Sequence, residues 1–128
     1  MRYLIMADVM VFALIAGGCQ KQEIDLLNEL NEKLRLTQGD LEKAKATLKE
    51  FIQENQQKIK ASVDALNAMP LSNEEQEQDK AERLARFNSS FYDKNGLHQT
   101  IAVFEKDKEF QELFESFKRS MQGFFQDF

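Results

Sequence analysis

Residues 27–51 read LNELNEKLRLTQGDLEKAKATLKEF, and the spacing of their leucines decides the fold class. Leu27, Leu34, Leu41 and Leu48 stand seven apart, with Leu30, Ala44 and Phe51 in the intervening position, which is the seam a helix needs to bury one face. After Leu48 the register moves by four: Ile52, Ile59 and Leu66 form a second series seven apart, flanked by Val63 and Met69. A four-residue shift unwinds a supercoil locally without ending the helix. The pattern predicts one long helix over 23–69. Its soft point is Thr37-Gln38-Gly39-Asp40, because Gly inside a helix costs about 1 kcal/mol relative to Ala and Asp40 is suited to cap a new helix. Leu34 and Leu41 keep their phase across Gly39, and the reading therefore favours continuity. Asn55, Lys58 and Ser62 dilute the second half of the seam, so the pattern suits a bundle helix with one apolar stripe better than a long coiled coil.

On the C-terminal side, Pro70 ends this segment, since it lacks an amide donor and restricts the residue before it. Ser72-Asn73-Glu74-Glu75 matches a capping box with Ser72 as the cap and Glu75 reaching back. Ala81, Leu84, Phe87 and Phe91 then fall at helical spacing, and Asn95-Gly96 reads as a left-handed stop. Ile101, Phe104, Phe110, Leu113, Phe114, Phe117, Met121, Phe124, Phe125 and Phe128 follow in the last segment, which Asp107 divides into a short helix and a long one. Nine of the eleven Phe lie from Phe87 onward, so the region 71–128 supplies most of the large apolar groups. With one Pro, five Gly and no alternating strand pattern, the fold class is all-α: a long amphipathic helix followed by two or three shorter helices in a small bundle.

On the N-terminal side stands MRYLIMADVMVFALIAGGCQ, residues 1–20, which holds the sole Cys of the chain. A positive start at Arg2, an apolar run from Val9 to Ala16 and small residues after it form the three parts of a secretory signal. The run is short against the roughly 20 residues of a membrane span, which favours cleavage. Ile15-Ala16-Gly17-Gly18-Cys19 resembles the lipobox of bacterial lipoproteins, in which a peptidase cuts before a Cys carrying diacylglycerol. The resemblance covers the first twenty residues only. It implies that residues 1–18 are removed, that Cys19 bears a diacylglycerol and an N-acyl lipid, and that 19–22 form a short tether to the membrane. Gln20 after the Cys implies the outer membrane, facing the periplasm, in a Gram-negative source. Two or more acyl chains give stable anchoring.

Little else in the chain carries chemistry. The net charge of −5 leaves no basic footprint for nucleic acid. With one His and one acylated Cys, a nucleophilic constellation would have to rest on His98, which reads as a surface or helix-start residue. Asp93 and Glu105 are its only nearby candidate co-ligands for a metal, and the run Glu74, Glu75, Glu77, Asp79 reads as a solvated helix start. Asn88-Ser89-Ser90 matches a glycosylation acceptor that a bacterial lipoprotein would not normally use. The expectation is a non-enzymatic protein without a cofactor beyond its lipid.

Two apolar series are the candidate interaction surfaces: Leu27, Leu34, Leu41 and Leu48 on the seam, and Phe117, Met121, Phe124, Phe125 and Phe128 at the C-terminus. Either they form the core of the bundle or they meet a partner. The first expectation is an assembly or exclusion factor that binds another envelope protein. The alternatives are self-association through a coiled coil of Leu27 to Leu48, and enclosure of an apolar ligand by the Phe-rich helices.

Overall fold

The computed structural model describes residues 22–125. Among these residues the chain forms six helices and no strand. They are α1 (22–35), α2 (Leu41–Glu54), α3 (Gln56–Asn67), α4 (Glu74–Phe91), α5 (Leu97–Ala102) and α6 (Lys108–Ser120). The molecule is an all-helical bundle, as the leucine spacing and composition predict.

The single helix expected over 23–69 is three helices. Its first break falls at the soft point, where Gln38 (φ 52°) and Gly39 (φ 83°) both adopt left-handed backbone and turn the chain. Gly incurs no steric penalty there, whereas Gln38 does. Thr37 closes the turn by donating its hydroxyl to the Leu34 carbonyl at 2.6 Å, and Asp40 caps α2 by accepting from the Lys43 amide at 3.1 Å. Lys33, Leu36, Thr47, Glu50 and Glu54 border one shallow depression, so α2 folds back along α1. The second break is at Asn55, just beyond the four-residue shift. Its buried side-chain amide donates to the Phe51 carbonyl at 2.9 Å, competing with the regular helix ladder.

Reversal at the turn explains how a heptad that keeps its phase can belong to two helices. Leu27, Leu30 and Leu34 from α1 and Ala44, Leu48 and Phe51 from α2 enter the same interior, together with Ile59, Leu66, Phe87, Phe91, Phe110, Phe114 and Phe117. The rings form a continuous series. Phe51 meets Phe117 edge-on at 6.2 Å, Phe117 meets Phe114 at 5.6 Å, and Phe114 stacks on Phe91 at 6.1 Å. Phe125 then bridges Phe91 and Phe87 at 5.0 and 5.1 Å. Offset and edge-on pairs of this kind contribute about 0.5–1.5 kcal/mol each beyond the area they bury.

The contacts sort the bundle into two ends. At one end lie the start of α1, the end of α3 and the chain after α6: Arg83 of α4 binds Glu23, touches the Met69 sulfur at 3.7 Å and lies over the Phe124 ring. At the other end lie the α1–α2 turn, α5 and the start of α6. There Thr100 donates its hydroxyl to the Asn31 side chain, and Lys45 of α2 donates to Glu109 of α6 at 2.8 Å.

Helix boundaries follow the expected residues with two corrections. Asp107 caps α6 by accepting from the Phe110 amide at 2.9 Å. The cap of α4, however, is Asn73 rather than Ser72: Asn73 accepts from the Gln76 amide at 2.9 Å, while the Gln76 carbonyl oxygen accepts from the Ser72 amide and hydroxyl at 2.8 and 2.7 Å. The box is displaced by one residue, with Gln76 in the role expected of Glu75. Gly96 is not left-handed either (φ −87°). It is needed for close approach, since a Cβ there would stand 2.6 Å from the Ser90 carbonyl oxygen.

Candidate functional site

The residues expected to form an interaction surface are placed inside the molecule. Leu27, Leu34, Leu48, Phe117, Met121, Phe124 and Phe125 are all buried, and Leu41 is half-buried against the same core. Cys19 and Phe128 lie outside the described residues. Packing within one chain satisfies both series, because the reversed α1–α2 pair and the aromatic series cover each other. Leu27, Leu34 and Leu48 are thus core residues of the single chain.

Sequence reasoning missed the most distinctive polar feature. Glu23 is wholly buried and receives two hydrogen bonds from Arg83, Nε to Oε2 at 2.8 Å and Nη2 to Oε1 at 3.0 Å. Parallel donation by a guanidinium fork to a carboxylate is the strong form of such a pair. A signal for it exists in the sequence: Glu23 stands four before Leu27 on the seam, and Arg83 four before Phe87 on the Phe stripe. Two opposite charges placed on apolar stripes, 60 residues apart, are each costly alone and satisfied together.

Exposed apolar side chains sit at both ends. Leu36 and Val103 are 76% and 69% exposed beside the α1–α2 turn and the end of α5, and Leu71 is 52% exposed in the α3–α4 connection. Asn88 donates its amide to the Phe124 carbonyl and to the Leu84 carbonyl, both at 2.9 Å, and so ties the chain after α6 to α4. Sequence reading offered this Asn only as a glycosylation acceptor.

A cleft of about 280 Å³ opens between the end of α4, α5 and α6. Phe91, Phe110 and Phe114 form its floor, with Glu105, Glu115 and Lys118 among its rim residues. His98 lies there with its ring 4.7 Å from Tyr92 and 5.5 Å from Phe91. Its neighbours are aromatic rings, which suits a packed surface group. Among the described residues no group of three His, Cys, Asp or Glu side chains is placed to hold a metal ion. No helix among them is long and apolar enough to cross a membrane.

Among the described residues one titrating group is clearly displaced. The Lys45 ammonium is held above its ordinary value of 10.5, first by the Glu109 carboxylate and then by Glu42, with Asp107 adding attraction from 3.9 Å. The cluster joins α2 to the first turn of α6. No family model, curated protein or solved structure matches the chain.

Proposed function

We propose that this chain is a small lipid-anchored envelope protein, facing the periplasm, whose bundle works without catalysis as an assembly or exclusion factor for another envelope protein. The observation that carries the reading is the position of the sole Cys, which closes a lipobox-like segment and stands four residues before the buried Glu23. Anchor and bundle are thus nearly contiguous in the chain. Leu27 to Leu48 and Phe117 to Phe125 are taken up by the core, so the partner-facing groups are those left outside it. Leu36 and Val103 are the most exposed large apolar residues described, and Val103 borders a groove with Leu34, Arg35 and Gly39 of the turn that carries Leu36. Exposed apolar groups of this kind are where a partner gains most from contact.

The experiment is photo-crosslinking in cells with a diazirine amino acid at position 36 or 103. A discrete adduct with one envelope protein, weakened when the other of these two positions carries Glu, is the expected result. Adducts to none, or only to a second copy of the chain, would count against the reading. The apolar-ligand alternative has the aromatic cleft in its favour, whose size suits one ring better than an acyl chain.

A further inference from the structure

The orientation of the molecule rests on the lipid-anchored reading together with the geometry of the Glu23 end. From Cys19 to Glu23 there are four backbone steps, a reach of at most about 14 Å even when fully extended. The tether cannot be lengthened by unwinding α1, because Glu23 is wholly buried and fixed by its two hydrogen bonds to Arg83.

Alongside it, α4 runs parallel to α1, since Glu23 meets Arg83 and, further on, Asn31 donates to the Asn95 carbonyl at 2.9 Å. Glu74, the first residue of α4, precedes Arg83 by nine positions, so the helix projects about 13 Å past the level of Glu23 at 1.5 Å per residue. The projection is thus about as long as the greatest reach the tether allows. Gln76 grips the Ser72 amide and hydroxyl and so keeps the neighbouring Pro70 and Leu71, both exposed, beside the first turn of α4.

We propose that the bundle stands directly on the bilayer through this end, with Pro70 and Leu71 at the headgroup layer and the α1–α2 turn directed away from the membrane. Glu74, Glu75 and Glu77 flank the contact. Their charge opposes anionic lipid and suits the ammonium of phosphatidylethanolamine, so the seat is a headgroup contact that the acyl anchor enforces, not an independent membrane-binding site. One exposed leucine would not hold a protein of this size on a bilayer by itself.

The chain has no Trp, so a single indole reports without background. Full-length acylated protein carrying Leu71→Trp, or Leu36→Trp as the distal control, is placed in phosphatidylethanolamine–phosphatidylglycerol vesicles with bromine on the upper acyl carbons. The Leu71→Trp fluorescence should fall by about two-fold, as expected for a group at the headgroup–acyl boundary, and the Leu36→Trp fluorescence should not change. Adding Cys19→Ser to Leu71→Trp should abolish the quenching. Intact mass on the same samples separates the two ways to fail. Acylated protein whose Leu71→Trp indole is unquenched, or is quenched no more than the Leu36→Trp indole, would overturn the orientation and leave the anchor standing. A chain without acyl groups would remove the anchor and the orientation with it.

Discussion

Glu23 and Arg83 show how much a pair of residues can decide. Each alone would be a charge in an apolar interior, and the effective penalty for such a group is several kcal/mol. Together they satisfy each other, and with Met69 and Phe124 around the guanidinium they gather α1, the chain after α3, α4 and the chain after α6 at one point. Replacing one partner strands the other. Glu23→Gln should therefore cost about 3–5 kcal/mol, read as a fall in the urea midpoint of the chain with Cys19→Ser, whereas the double replacement Glu23→Leu with Arg83→Met should be neutral or stabilising. Equal losses in the single and double variants would mean that the pair acts by shape alone. Each residue alone marks only a charge on an apolar stripe, and the sequence does not say which charge answers which. Nothing local links position 23 to position 83. Gly96 is a related case: its identity was legible as a boundary, but the reason is the carbonyl oxygen of Ser90 in space and not a left-handed turn.

At the scale of elements, α4 and α6 were close to legible from Phe spacing, Pro70 and Asp107, because those signals act within a few residues. The long helix was not, since periodicity records which residues face inward and says nothing of the direction in which the chain runs. Leu34 and Leu41 keep phase across Gly39 because both sides of the reversed pair look into the same core. The junction of α2 with α6 carries a pH signature. Lys45 has a raised value in the folded chain, so the stability it adds is fully present at and below its unfolded value of 10.5 and is lost as pH rises beyond that toward the folded value. Thermal melts of wild type and Lys45→Met should keep a constant gap through neutral and mildly alkaline pH and converge only above about 10.5. Added salt should narrow the gap, because Glu42 and Glu109 are largely exposed. A gap that closes near neutral pH would place the effect on another group.

For the whole molecule, the two apolar series that invited an interface are consumed in folding. Among the described residues, what remains outside is uneven: Leu71 in the α3–α4 connection, and Leu36 and Val103 beside the α1–α2 turn and the end of α5. An anchored bundle with this polarity would hold its distal end toward the periplasm, where a partner can reach it. All-α architecture was legible from composition. Which apolar residues stay exposed was not, because exposure depends on how the helices cover one another. The proposed anchor, orientation and partner-facing end all depend on acylation of Cys19. Intact mass spectrometry of the protein extracted from membranes, wild type beside Cys19→Ser, tests that lipid most directly. A mature chain that begins at Cys19 with added acyl mass, lost in the variant, is the predicted result. An uncleaved chain, or one cut without acylation, would contradict it.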